Sequence, residues 1–84
     1  MYLNIGKNRM LRKEQVLGIF DLDSSSQSYL TREFLTAAEK AGRVVNAAED
    51  IPNSFLLCEE EDGVTVYLSQ STSRTLWKRN DQLL

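Results

Sequence analysis

Histidine is absent from this 84-residue chain, and cysteine, proline and tryptophan each occur once. Without histidine the chain lacks the commonest general base and the commonest metal ligand, and a single cysteine gives no zinc site of ordinary spacing. That cysteine, Cys58, lies within an apolar segment, where a thiol is normally an unreactive small hydrophobe. The residue inventory therefore predicts that the protein is not an enzyme and uses no metal ion or other cofactor.

Long apolar runs are also missing from the sequence. No stretch approaches the roughly 18 apolar residues of a membrane-spanning helix, and residues 1–10 do not contain the apolar segment of a signal peptide. A lone cysteine cannot form an internal disulfide framework. We therefore expect a cytoplasmic protein that makes no contact with a membrane, and nothing in the sequence points to a small-molecule substrate.

Positive charge is concentrated in two short segments. Residues 7–13 and 74–79 contain basic groups and no acid, whereas eleven of the twelve acids fall between Glu14 and Asp62. If such segregation places opposite charges on different faces, it favours polyanion binding or head-to-tail self-association; the alternative is scattered, solvated charge. The candidate residues for contact with DNA or a partner are Lys7, Arg9, Arg12, Lys13, Arg74, Lys78 and Arg79.

The net charge of −2 limits what one subunit can bind. A typical nucleic-acid-binding domain is basic overall, so the negative net charge of this chain argues against a monomer that binds DNA tightly. Each phosphate contact adds to the affinity through counterion release, and only an array of subunits would supply many such contacts at once. DNA binding, if it occurs, therefore requires a homo-oligomer.

Hydrophobic periodicity predicts an α+β fold with a small antiparallel or mixed sheet. We expect strands at 2–5, 9–12, 16–22 and 43–46, with a turn at 6–8, because Gly and Asn tolerate positive φ. Apolar residues at both odd and even positions of the 16–22 strand predict that both of its faces are buried. A hairpin is expected over 55–69, with a two-residue type I′ turn at Asp62 and Gly63.

The main helix is predicted at about 28–41, capped by Ser26 or Ser28 and ended by Gly42 with positive φ. A helix covers only one face of a sheet, so the other face needs a second sheet layer or another subunit. The helix is expected to pack on the sheet through one apolar stripe, made of Leu30, Phe34, Ala37, Ala38 and Ala41.

A short C-terminal helix is predicted at about 72–79, capped by Ser71 or Thr72. Three roles are open for it: closing the core, contacting phosphate, or forming a subunit interface. We interpret it as a helix anchored in the core by Trp77 that turns its cations outward. Residues 1–80 are expected to form a single domain, and residues 81–84 to fray.

Five segments carry a resemblance to a known family: residues 4–6, 16–22, 30–35, 52–57 and 66–79. Taken in order, they resemble the extracellular matrix regulatory proteins of spore-forming bacteria, RemA and RemB, and are closest to the RemB branch. The resemblance implies a small α+β subunit, and RemA-like members form rings and bind DNA to activate genes for biofilm matrix and osmoprotection. The DNA-contacting arginines of those members fall at Gln15, Ile51 and Pro52 here.

These observations lead to two hypotheses. In the first, the protein is a non-enzymatic cytoplasmic regulator of matrix or biofilm genes that acts as a homo-oligomer, with a ring as one form, through DNA or a protein partner. In the second, it is an interaction module that binds another regulatory protein and never contacts DNA. The acidic balance and the missing arginines favour the second hypothesis, whereas the segregated basic segments favour the first.

Overall fold

The computed structural model describes the backbone of residues 1–22 and 29–82, with side chains up to position 79. It confirms the α+β class, with a main helix and a short C-terminal helix. A 3-10 turn, Lys13–Gln15, links the second and third strands. The elements in chain order are β1 (Tyr2–Gly6), β2 (Arg9–Arg12), β3 (Val16–Asp21), α1 (Tyr29–Lys40), β4 (Val44–Asn46), β5 (Ser54–Glu60), β6 (Gly63–Ser69) and α2 (Ser73–Gln82).

The strands form two sheets. β1 and β2 make an antiparallel hairpin, and the other four strands make a mixed sheet in the order β3-β5-β6-β4, in which β4 runs parallel to β6. Across this sheet Ile19, Leu56, Tyr67 and Val45 lie side by side. Because successive side chains alternate between faces, these four residues point to one face.

The first hairpin turns through Lys7 (φ 50°) and Asn8 (φ 59°), and Gly6 pairs with Arg9. Two consecutive positive φ values are typical of a type I′ turn, which matches the twist of the strands. Gly6 also has a positive φ of 122°, and a Cβ atom there would lie 3.0 Å from the carbonyl oxygen of Ala47. The predicted turn is confirmed, and glycine at position 6 lets the hairpin approach the main sheet.

The second hairpin is confirmed, but its predicted turn is wrong by one residue. Glu60 pairs with Gly63, so the loop residues are Glu61 and Asp62, and neither of them has positive φ. Gly63, at φ 131°, begins β6 instead. Arg43 forms an ion pair of 2.9 Å with Asp62 and holds the loop against the start of β4.

The core lies between the main sheet and a second layer made by the β1–β2 hairpin and α2. This arrangement supplies the second sheet layer that the sequence required, and Cys58 is buried within it. The buried core side chains are Leu3, Ile5, Leu11, Ile19, Ala47, Leu56, Cys58, Tyr67 and Leu76.

The opposite face of the main sheet is covered by α1, which has no buried residue. The predicted packing stripe is wrong: Leu30 is 73% exposed, Phe34 is 43% exposed, and of the predicted set only Ala38 is half-buried. The residues that face the sheet are Thr31, Leu35 and Ala38, so the helix is rotated by one residue from the prediction.

The end of α1 follows the prediction. Gly42 has φ 72°, the amide of Gly42 donates to the carbonyl of Glu39, and the amide of Arg43 donates to the carbonyl of Ala38. These two bonds define a Schellman cap, in which a positive-φ glycine ends the helix. The predicted N-terminal caps, Ser26 and Ser28, lie outside the described residues.

The burial predicted for both faces of β3 is also wrong, because Leu17 and Phe20 are exposed. β3 is an edge strand, and its register with β5 is interrupted between Val16 and Gly18. In the described parts of the chain, no helix is long and apolar enough to cross a bilayer.

Candidate nucleic-acid or partner interface

All seven predicted interface residues lie on the layer that covers the core. We call this layer, residues 1–15 and 72–82, the basic layer: it comprises the β1–β2 hairpin, the 3-10 turn and α2. It contains seven of the ten basic residues and two of the twelve acids, Glu14 and Asp81, whereas the rest of the chain contains three basic residues and ten acids. The segregation seen in the sequence therefore becomes a segregation between two sides of the fold.

α2 is held in this layer by Leu76, which is fully buried. The predicted anchor, Trp77, is 48% exposed, so that prediction is wrong. One residue along a helix is a rotation of about 100°, and only one of the two neighbouring side chains can enter the core. The predicted cap is confirmed for Thr72, whose hydroxyl accepts a hydrogen bond of 3.2 Å from the amide of Thr75.

Arg79 fastens α2 to β1. Its Nη1 donates to the carbonyl oxygen of Asn4 at 3.0 Å and to the hydroxyl of Ser71 at 3.4 Å. The guanidinium is therefore directed to the protein itself and is half-buried, contrary to the predicted outward display. Arg74 and Lys78, one turn apart on α2, are exposed as predicted.

Serine hydroxyls that the sequence analysis missed join the main sheet to β1 and to Ser71, which lies just before α2. Ser69 donates to the carbonyl of Ile5 at 2.6 Å and accepts from the amide of Ser71 at 3.2 Å, and Ser54 donates to the carbonyl of Ser71 at 2.7 Å. Ser54 and Ser69 are fully buried and pair across β5 and β6. The sequence does contain a signal for these bonds. Both serines lie at the ends of apolar strands, where a buried hydroxyl needs a hydrogen-bond partner.

The N-terminal basic cluster is divided by the geometry of the hairpin. Lys7 lies in the turn, whereas Arg12 pairs with Tyr2 at the open end, and Lys13 follows it. Four residues of strand span about 13 Å. The four basic residues are therefore spread along the hairpin, and only Lys7 lies at its tip.

Arg9 and Arg12 have partners within the fold. The guanidinium of Arg9 lies over the ring of Tyr67, 5.9 Å from its centroid, and Arg12 lies 3.5 Å from Glu14 in an exposed ion pair. The pKa of Glu14 is lowered, chiefly by a backbone hydrogen bond and also by the N-terminal ammonium and Arg12. The charges of Arg9 and Arg12 are therefore partly engaged by groups of the protein itself, which makes these residues weaker candidates than Lys7 for binding an anion.

A polar chain runs along the margin of the core beside Arg9. Tyr67 and Thr65 donate to the two carboxylate oxygens of Glu60, each at 2.6 Å, and Arg43 donates to Thr65 at 3.2 Å. The bonds from Thr65 and Tyr67 lower the pKa of Glu60, while burial and the bond to Glu60 raise the pKa of Tyr67 to about 12. Each group is satisfied within the fold, which is typical of a structural network.

Cys58 lies next to this network, and its side chain is buried. Burial and the nearby charge of Glu60 raise the pKa of the thiol to about 11. The thiolate is the reactive form of cysteine, and at neutral pH little of it is present. Among residues 1–22 and 29–79, no group of three or more acidic or cysteine side chains is arranged to hold a metal ion.

A comparison with curated proteins gives no match. A comparison with models of protein families matches residues 2–79 to the RemA-like family, described as extracellular matrix regulatory protein A-like. The match spans both hairpins, both sheets, α1 and the part of α2 that contains the exposed cations. The chain therefore belongs to the RemA-like family of extracellular matrix regulatory proteins.

Proposed function

We propose that this protein is a non-enzymatic cytoplasmic regulator of extracellular matrix and biofilm genes, of the RemB branch, that acts as a homo-oligomer and binds DNA through the basic layer. The family supports the regulatory role. The observation that carries the DNA contact is the charge of the basic layer, which contains seven of the ten basic residues of a chain whose net charge is −2. Only this layer offers a phosphate backbone an excess of cations.

The side chains that carry the contact are the exposed ones. Arg74 and Lys78 lie one turn apart on α2, and Lys7 lies at the hairpin tip. Arg79, bound to Asn4, positions α2. Three or so cations per subunit give weak, salt-sensitive binding, because affinity scales with the number of phosphates neutralised.

Self-association supports the proposal because it multiplies these contacts. Linked copies bind a polymer at a high effective concentration, so modest contacts add up without any change in the individual site. The other side of the fold supplies the apolar surface that such contacts need. Its exposed large side chains include Phe20, Leu30 and Phe34.

The test is binding of a fluorescent duplex from a matrix-gene promoter, measured by anisotropy at about 50 mM and 200 mM salt. Arg74→Glu should weaken binding at low salt by at least about tenfold and reduce the salt dependence, because each subunit of the oligomer loses a phosphate contact. Arg32→Glu, the same charge change on α1, is the matched control and should keep most of the affinity. Equal losses in both variants, or no binding by the oligomer at low salt, would contradict the proposal.

A second function is favoured by one observation. The resemblance places DNA-contacting arginines at positions occupied here by Gln15, Ile51 and Pro52, and Ile51 is 76% exposed. An exposed apolar side chain at such a position suits a protein surface better than a phosphate. In this alternative the protein binds another regulator, and Ile51→Asp should abolish co-purification of that regulator while Arg74→Glu leaves it intact.

A further inference from the structure

α1 has two apolar stripes that are offset by one residue. The first, Thr31, Leu35 and Ala38, is half-buried against the main sheet. The second, which we call the outer stripe, is exposed along its whole length. It consists of Leu30, Phe34 and Ala37 on α1 and of Ala41, which directly follows the helix and whose amide donates to the carbonyl of Ala37 at 3.0 Å.

The spacing of the outer stripe is four, three and four residues. Alternating steps of four and three are the repeat with which two helices pack side by side in a coiled coil. Within the described part of the chain this stripe is left open to solvent: Leu30 is 73% exposed and Phe34 is 43% exposed. Leucine and phenylalanine at these positions are large apolar groups that gain by leaving water.

We propose that the outer stripe is the seam of an antiparallel contact between α1 of one copy of this chain and α1 of a second copy. In an antiparallel pair centred on the stripe, Leu30 lies opposite Ala41 of the second copy and Phe34 lies opposite Ala37 of the second copy. Each large side chain then meets a small one, and such alternation fills the space between two helices. A parallel pair would set Phe34 against Phe34 and Ala37 against Ala37, which leaves crowding at one level and a gap at the next.

The charges beside the stripe select the same orientation. Glu33 and Lys40 flank the seam on one side and are exposed. Neither has an ion-pair partner within residues 1–22 and 29–79. The antiparallel arrangement brings Glu33 beside Lys40 of the second copy, and the symmetry of the pair makes this contact twice. Opposite charges at these flanking positions set partner choice and orientation in helix pairs.

The other flank of the seam is apolar. A groove of about 250 Å³ lies between α1 and the main sheet, lined by Leu30, Thr31, Phe34, Phe20, Phe55 and Leu57. Phe20 is exposed at its edge and stacks on Phe55, with ring centroids 5.1 Å apart. This surface continues the outer stripe toward β3, so a second copy would cover more than one helix face.

The position of the outer stripe also orients the pair. It lies about 100° around α1 from the stripe that faces the sheet. The second helix therefore lies beside α1 rather than on top of it, and the two-fold axis runs along the normal of the main sheet. Both basic layers then face the same side, which doubles the surface offered to one polyanion. This pairing deepens the self-association in the proposed function and is tested by mass, independently of DNA.

The first test compares two neighbouring substitutions on α1 by sedimentation or light scattering over a range of concentrations. Ala37→Glu places a carboxylate in the middle of the seam opposite Phe34 and should raise the dissociation constant of the pair by more than about tenfold. Thr36→Glu is the matched control: it adds the same charge to an exposed position about 100° away and should leave the mass unchanged. If both variants keep the wild-type mass, or both lose it equally, the seam is wrong.

The second test exchanges the flanking charges. Glu33→Lys alone and Lys40→Glu alone each set like charges against each other twice, and each should weaken the pair by about three- to tenfold. The double variant, Glu33→Lys with Lys40→Glu, restores opposite charges and should recover the wild-type mass. Failure of the double variant to recover would overturn the antiparallel orientation. If the variants change the mass but the protein does not bind DNA, the pairing is supported and the proposed function is contradicted. If the variants leave the mass unchanged and the protein binds DNA, the proposed function is supported and the pairing is contradicted.

Discussion

On one face of the four-stranded sheet, the β1–β2 hairpin and α2 bury leucine and isoleucine side chains completely, whereas on the other face α1 buries none of its own. The first contact is reinforced by the hydrogen bond from Ser69 to Ile5, and Arg79 ties α2 to β1 within the basic layer. The second leaves an apolar stripe in water. The chain therefore covers one face of the sheet with its own buried side chains, whereas the helix on the other face leaves apolar surface that a partner could cover.

The charges divide along the same line. The tightly packed basic layer holds most of the cations, and most of the acids lie in the rest of the chain. The polyanion contact proposed above is favoured by side chains that stand on a well-packed element, because mobile groups lose more entropy when they are fixed. The buried anchor Leu76 gives α2 that support while Arg74 and Lys78 remain exposed.

The largest expected effect comes from the same substitution made on each face. Leu76→Ala removes a fully buried side chain and should lower the free energy of unfolding by about 2–5 kcal/mol, because it leaves a cavity. Leu30→Ala, on exposed α1, should change it by less than about 0.5 kcal/mol in dilute solution. Urea denaturation, followed by the fluorescence of Trp77, measures both.

If Leu30→Ala lowered the free energy of unfolding by a comparable amount in dilute solution, the two faces would not differ as described. It would mean that α1 stabilises the single chain as strongly as α2 does. Repeating the denaturation at high protein concentration separates a contact within one chain from a contact between copies. A contact between copies makes the apparent stability depend on concentration.

A smaller effect is expected from the hydrogen bonds that tie the basic layer to the sheet. Ser69→Ala removes the donor to the carbonyl of Ile5 and the acceptor for the amide of Ser71. A buried polar group that loses its partner costs about 1–3 kcal/mol, so the variant should be destabilised by that amount. Thr36→Ala, which removes an exposed hydroxyl from α1, is the control and should have almost no effect in the same denaturation experiment. An unchanged midpoint for Ser69→Ala would show that the two layers are held by apolar packing alone.

Much of the fold could be predicted from the sequence, because strands and turns leave local signals. The alternation in β6, the glycine that ends α1 and the turn at Lys7 and Asn8 are each encoded by neighbouring residues. The rotation of a helix is different. In α1 the outer stripe and the stripe on the sheet are both apolar and differ by one residue, so periodicity alone does not identify the one that faces the sheet.

Periodicity is equally uninformative about which side chains of the candidate site are buried or bound within the fold. Leu76 and Trp77 are adjacent, and size alone favours Trp77 as the anchor, whereas the side chain buried in the core is that of Leu76. The sequence does not reveal the partner of Arg79, because its acceptor, the carbonyl of Asn4, is 75 residues away. Contacts of this kind depend on how elements pack, and only the folded structure reveals them.

The smallest effect concerns pH and the margin of the face that packs on the basic layer. Hydrogen bonds from Thr65 and Tyr67 lower the pKa of Glu60 below its ordinary value of 4.5. Because the folded-state pKa is the lower one, the unfolded chain binds more protons at acidic pH. The stability that ionised Glu60 contributes is fully present above the unfolded value and is lost as the pH falls through the folded value. We expect less than about 1 kcal/mol, since the group is partly exposed.

Unfolding midpoints of the wild type and Glu60→Gln between about pH 6 and pH 3 measure this contribution. The variant should be less stable than the wild type near pH 6, and the difference should shrink as Glu60 is protonated in the wild type. Glu59→Gln is the matched control, because Glu59 is exposed on the opposite face of β5 and should retain the wild-type profile. A constant difference between wild type and Glu60→Gln across this range would mean that the two hydroxyls bind the neutral acid as well as the carboxylate. In that case the margin of the well-packed face would be as insensitive to acid as its apolar centre.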